Sequence, residues 1–264
     1  MSRRPPVRSG PRARSRDAPG DALPPVGKPV PAGFFERDAQ EVAASLLGLV
    51  LCHRIGRRWL MASLVEAEAY YLEDRASHAS LGFTPKRRAL FMPAGTIYMY
   101  YARGGDSFNV SVRGAGNAVL FKAGLPLLHE HVSGADARRW SAADAAAMLA
   151  RMRRLNPLPP GTARPSHRLC AGQTLLCRSL GLKVTAWDAR PLPSAGLVLV
   201  DTGYRPRQVV RARRLGIPAH RDPHLLYRFV DLGRAQAATR HPIGKRAQEG
   251  VAYEVLPASK ARAR

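Results

Sequence analysis

The densest concentration of chemically capable side chains is Glu66-Ala67-Glu68-Ala69-Tyr70-Tyr71, with His78 eight residues after Tyr70. Apolar alternation from Trp59 to Leu72 predicts a strand with Leu60, Ala62, Leu64, Glu66, Glu68 and Tyr70 on one face. Met61, Ser63, Val65, Ala67, Ala69 and Tyr71 fall on the other. Carboxylates at i and i+2 on a strand stand roughly 6–7 Å apart at about 3.3 Å rise per residue. A glutamate against aromatic walls suits general-base work, because an apolar wall excludes water and tunes its proton affinity. The same pair could equally be strand carboxylates matched to some of the 42 lysines and arginines. A second cluster runs through Thr84-Pro85-Lys86-Arg87-Arg88 to Tyr98 and Tyr100. Its cations and hydroxyl could contact consecutive phosphates, and its tyrosines could stack a base. A surface loop followed by a strand of core tyrosines explains that composition as well.

Composition narrows the classes. The 264 residues carry a formal net charge of +23, and 45% are hydrophobic, enough for a packed core. Such a charge predicts a polyanionic partner, nucleic acid first and an anionic membrane second. No stretch approaches 18 uninterrupted apolar residues, so no membrane helix is expected. Cys52, Cys170 and Cys177 are too few for a disulfide scaffold and are not spaced for zinc. A reducing compartment, no metal and no cofactor are the corresponding expectations.

The elements that must position these residues follow from local signals. Residues 1–32 hold seven cations against Asp17 and Asp21, with prolines where a secretory leader would need an apolar run. They are expected to form a disordered basic tail, either a phosphate-tracking arm or a solvated segment. Asp38 and Glu41 resemble a capping box ahead of VAASLLGLVL. Thr96 to Tyr101 is a predicted strand, Arg103-Gly104-Gly105-Asp106 a hairpin turn into FNVSV, and Ala118 to Gly124 the next strand. Ser141 to Leu155 reads as a helix with a Ser cap and a basic last turn. Ala171 to Leu180 reads as a short helix closed by Gly181. Short strands are expected at 197–200, 208–211 and 224–230, with fraying from Leu232. The fold class is α+β: one domain over 33–232, a mainly antiparallel curved sheet with surrounding helices and a protruding β-hairpin. Residues 233–264 form a basic, partly disordered extension in this reading.

The order of the motifs adds a resemblance. VEAEAY, His78, TPKRR, FMPAGTIYMY, a glycine-bearing hairpin, an asparagine and AVLFKAG together resemble the alkyladenine (3-methyladenine) DNA glycosylase family. Arg214-Leu215-Gly216-Ile217 and the stretch Pro223 to Phe229 are similar to later family pieces, so the likeness spans about Phe34 to Val230. It implies a monofunctional DNA repair enzyme that flips an alkylated or deaminated purine out of duplex DNA and hydrolyses its N-glycosidic bond. By the same resemblance, Glu68 activates the water and Tyr70, His78 and Tyr100 hold the flipped base, while Glu66 is a supporting residue whose role is purely structural in the favoured reading. Asn109 matches the asparagine that crowds the amino group of guanine. Lys122 stands where the family has arginine near the water and phosphates, and Thr84, Lys86 and Arg88 match backbone contacts. The implied partner is double-stranded DNA with damaged purines, bound by a monomer without a membrane. The setting is the bacterial cytoplasm, or the nucleus of a eukaryote.

Two departures stand out. The family hairpin carries a tyrosine that fills the space left by the flipped nucleotide; here the turn offers Arg103 as its only large side chain, making it the intercalation candidate. Residues 129–165 are longer and richer in alanine than the family pattern, and no function attaches to them. The alternative reading is a non-catalytic basic nucleic-acid-binding protein. A sugar glycosidase using Glu66 and Glu68 would not need this charge, and a metal nuclease would need more carboxylates than Glu73 and Asp74 add.

Overall fold

The computed structural model describes residues 23–257 apart from Arg103 and Arg246. Ten strands lie among the described residues, all paired antiparallel: β1 (Lys28–Pro29), β2 (Val50–Ile55), β3 (Arg58–Tyr70), β4 (Ile97–Ala102), β5 (Gly105–Ser111), β6 (Ala118–Pro126), β7 (Leu197–Asp201), β8 (Gln208–Ala212), β9 (Arg228–Asp231) and β10 (Tyr253–Pro257). The helices are α1 (Ala39–Leu46), α2 (Gly134–Arg139), α3 (Ala142–Leu155), α4 (Gln173–Leu180) and α5 (Val184–Trp187). The main path runs β1-β7-β2-β3-β6-β5-β4, and a branch through β9, β8 and β10 leaves β3. This is the α+β arrangement expected. None of the described helices is long and apolar enough to cross a membrane.

Strand β3 organises the molecule. On one edge it pairs with β2 through residues 58–63 and then with β9 through 66–68; on the other it pairs with β6. The β3–β6 ladder slips twice, between Leu64 and Glu66 and between Glu66 and Ala67. A bulge changes which face a side chain joins. Accordingly Leu64 before the slips and Ala67 and Ala69 after them all lie in the main core. The single face expected to run from Leu60 to Tyr70 is therefore broken, and Glu66, Glu68 and Tyr70 are separated from Leu60, Ala62 and Leu64.

Helices α1, α3 and α4 contribute Val42, Met148 and Leu176 to that core. The α1 cap is Asp38, whose carboxylate accepts from the Gln40 amide at 2.8 Å and from the Tyr71 hydroxyl at 2.8 Å. Tyr71, rather than the expected Glu41, completes the cap and ties α1 to the end of β3. The apolar run after Asp38 is not one element. Gly48, at φ +91° against Tyr204, turns the chain from α1 into β2, a strand the sequence alone did not separate. Ser141 and Asp144 form the reciprocal cap of α3 at 3.1 and 3.2 Å, and Gly181 closes α4 at φ +67°. Within 129–165, α3 lays Met148 against β3, with its sulfur 3.2 Å from the Met61 amide.

The sheet continues past both expected boundaries. β1 pairs with β7, and Val26 is fully buried; residues 1–22 of the expected tail lie outside the described residues. Beyond Leu232 a 3-10 segment buries Ala235 and Ala237, and β10 pairs with β8. Of the strand expected over 224–230, only Arg228 onward is regular. Upstream, the Tyr227 carbonyl accepts from the Ala69 amide at 2.8 Å.

Candidate active site

Glu68 is fully buried on β3, and its two oxygens meet different groups. Oε2 accepts from the Tyr70 hydroxyl at 2.7 Å, while Oε1 lies 3.3 Å from Lys122 Nζ and accepts no hydrogen bond among the described residues. Lys122 reaches it because the second slip leaves that residue unpaired between Phe121 and Ala123 on β6. A buried carboxylate requires a countercharge or hydrogen bonds, and Lys122 and Tyr70 supply one of each.

Tyr70 is held from behind. The Arg214 guanidinium lies 4.5 Å from its ring centroid and 5.3 Å from that of Tyr227. Arg214 donates to both oxygens of buried Asp74 and to the Ala69 carbonyl at 3.2 Å. Burial first, then the Glu68 charge, push the Tyr70 hydroxyl well above its ordinary range, with Arg214 opposing; it is a neutral donor. The Asp74–Arg214 pair also joins the loop after β3 to the loop after β8, and Arg75–Asp222 joins them again at 2.7 Å.

His78 packs at 4.5 Å from Tyr100, and its Nδ1 lies 2.9 Å from the Tyr98 hydroxyl. Desolvation among these rings, then the charges of Arg87 and Arg221, lower its pKa from the usual value, favouring neutral imidazole. Asn109 is buried and donates through Nδ2 to the Tyr98 carbonyl at 3.1 Å. Tyr70, His78, Tyr98, Tyr100 and Asn109 line one small cavity of about 60 Å³. It adjoins a cleft of about 560 Å³ walled by Lys122, the start of α4 and the loop Leu215–Pro218. The structure thus brings Glu68, Tyr70, His78, Tyr100, Asn109 and Lys122 together.

Glu66, two residues from Glu68, is tied differently. Arg228 Nε donates to Oε1 at 2.6 Å and the Thr239 amide to Oε2 at 2.7 Å. Arg228 also donates to the Arg240 carbonyl at 2.5 Å. The remaining candidates stand outside the cavity. Thr84 Oγ1 accepts from Arg87 Nε at 3.1 Å. Lys86 and Arg88 are exposed and form no ion pair among the described residues. Arg103 lies outside the described residues. Its hairpin is gripped by the α4–α5 region: Arg178 donates to the Gly104 carbonyl at 2.7 Å, and Asp106 binds Lys183 and the Val184 amide. A Cβ on Gly105 would fall 2.1 Å from Thr174. Residue-level reasoning missed Asp74, Arg214 and Arg228 as parts of the site. The RLGI and Pro223–Phe229 motifs, which contain both arginines, were the available signal.

A buried carboxylate thus lies beside a small aromatic cavity and a cleft lined by Lys122 and Arg221. Residues 33–235 match the family model described as methylpurine-DNA glycosylase. The chain belongs to that family, which comprises hydrolases of N-glycosyl bonds that act on DNA in base excision repair. Among its relatives, a Pseudomonas fluorescens (strain Pf0-1) protein is 51% identical over 88% of this chain and 94% of its own length. A Pseudomonas aeruginosa (strain UCBPP-PA14) protein is 52% identical over 92% and 96%. Both are provisionally named 3-methyladenine DNA glycosylase.

Proposed function

We propose that this chain releases damaged purines from duplex DNA by flipping the nucleotide into the aromatic cavity and directing water at C1′ with Glu68. The observation that carries this reading is the two-sided tether of Glu68. Tyr70 orients one oxygen, Lys122 balances the charge, and Oε1 accepts no hydrogen bond among the described residues. In the proposed step a water oxygen bonds to C1′ as its proton passes to Glu68. The C1′–N bond breaks, and its electron pair leaves with the base. Positive charge developing on the sugar is stabilised by the carboxylate.

Tyr70, His78 and Tyr100 supply the stacking surfaces, and a cationic alkylated purine is attracted to tyrosine faces. Flipping is required because C1′ is shielded within the stack. Asn109, bound to the Tyr98 carbonyl, opposes the amino group of a normal guanine. Thr84, Lys86 and Arg88 contact the DNA backbone, and Arg103 on the hairpin enters the vacated space. The chain acts as a monomer in the cytoplasm, a setting in keeping with its bacterial relatives.

A duplex holding one 3-methyladenine or hypoxanthine, heated in alkali after incubation, tests this. Wild-type chain should yield abasic-site cleavage. Glu68→Gln should lose release while still binding an abasic-analogue duplex. Excision by Glu68→Gln close to wild type removes Glu68 from the step.

A further inference from the structure

Just beyond His78 the chain makes a 3-10 turn, Ala79–Leu81, and Gly82 takes a left-handed φ of +77°. The turn leaves Leu81 61% and Phe83 64% exposed, an adjacent apolar pair on a strongly cationic chain. Phe83 is nevertheless buttressed. Its ring meets Phe91 edge-on at 5.6 Å, and Phe91 packs on the small core of Ala79, Leu90 and Tyr98 behind the base cavity. The loop is bolted to that cavity by Arg87, which donates to the His78 carbonyl at 2.9 Å and to Thr84 Oγ1 at 3.1 Å. Exposed Lys86 and Arg88 follow, and neither forms an ion pair among the described residues.

We propose that Leu81 and Phe83 form an apolar wedge that enters the base stack of duplex DNA beside the nucleotide taken into the cavity, with Lys86 and Arg88 on the flanking phosphates. This rests on the base-flipping reading above and adds a second insertion point to the hairpin. An exposed aromatic packed edge-on against Phe91 and followed by exposed cations is complementary to a partner that is anionic outside and apolar between its layers, which is a nucleic-acid duplex. Apolar side chains inserted between base steps unstack and kink the duplex. A ring already packed on one edge against Phe91 has less side-chain freedom to lose than an unsupported one. Because Arg87 links the wedge to the carbonyl of His78, insertion and capture of the base occur on one continuous support.

The test uses the full chain carrying Glu68→Gln, so that chemistry is halted, and a hypoxanthine duplex with a fluorescent base analogue next to the lesion. At saturating protein the parent should brighten the reporter. Adding Phe83→Ala should lower the extruded-to-stacked ratio on the order of tenfold, the scale of one aromatic–base stack, and Phe83→Trp should restore it. Leu81→Ala, read the same way, provides a second variant. Equal brightening by the parent and Phe83→Ala at saturation would overturn the wedge while leaving flipping intact. No brightening by the saturated parent would overturn the base-flipping reading itself, a separate outcome.

Discussion

Glu66 and Glu68 share a strand, a residue type and complete burial, yet they sit in opposite kinds of environment. Every oxygen of Glu66 is matched by a protein donor, Arg228 on one side and the Thr239 amide on the other. Glu68 is held by Tyr70 and balanced by Lys122, and one oxygen has no hydrogen-bond donor among the described residues. The first arrangement completes a structure, and the second leaves capacity for a reaction. The difference arises from partners rather than from the strand: β9 and the segment after it close over Glu66, while the slip in β6 brings a lone lysine to Glu68.

The sharpest contrast should come from the two glutamine variants. Glu68→Gln is expected to lower the single-turnover excision rate of the folded fraction by about 10²–10⁴-fold, the usual worth of a general base, and also to lower the urea midpoint, because buried Lys122 loses its anion. Glu66→Gln should differ in the kinetics. Leaving Arg228 buried without its anion costs about 3–5 kcal/mol, read as a lower urea midpoint, while the folded fraction keeps most of its excision rate. Equal kinetic losses in both would make the two carboxylates a functional pair and end the distinction.

Tyr70→Phe keeps the ring over Arg214 but removes the hydrogen bond to Glu68. A hydrogen bond to a charged group contributes about 1.5–3 kcal/mol, so excision should fall roughly ten- to a hundredfold. Base-analogue binding should change little. A binding loss as large as the kinetic one would show that the hydroxyl serves the pocket rather than Glu68.

A smaller effect separates a purely structural histidine from the site. His53, buried on β2 with Nδ1 2.6 Å from the Leu180 carbonyl, has its pKa lowered, chiefly by burial, against a weaker raising effect of that bond. The unfolded chain binds a proton there at higher pH than the folded one. Stability is therefore full above about pH 6.5 and lost as pH falls through the lower folded value. Urea midpoints between pH 7.5 and 5.5 should decline on acidification, and His53→Gln should flatten that decline. An unaltered slope in the variant would assign the decline elsewhere.

The mildest expected change is at the rim. Lys86→Ala and Arg88→Ala should each reduce the log–log salt slope of duplex binding by about 0.9, with the extruded fraction at saturation unchanged. A slope that stays put would mean that neither cation meets a phosphate.

Much of this was legible in local signals. Ser141, Gly181 and the Gly104-Gly105 turn each mark an element end through short-range chemistry, and the order of motifs brought Glu68, Tyr70, His78, Tyr100 and Asn109 into one site. What escaped depends on distant partners. The parity change on β3 exists only once β6 is paired to it, because a slip is a property of two strands. The run after Asp38 is apolar in both α1 and β2, so hydrophobicity could not divide it; the positive φ at Gly48 does. Asp74 and Arg214 lie 140 residues apart, and no spacing rule connects them. The edge strand β10, Tyr253–Pro257, is too short and too little buried to show the apolar alternation that identified β3.

The donors that close over Glu66 come from residues 228 and 239, near the far end of the chain. During synthesis β3 leaves the ribosome long before they do. Until then Glu66 is an unmatched carboxylate in the middle of the strand that carries Glu68. The last stretch of translation therefore completes the surroundings of β3. A chain ending before Arg228 would leave Glu66 without either of these donors.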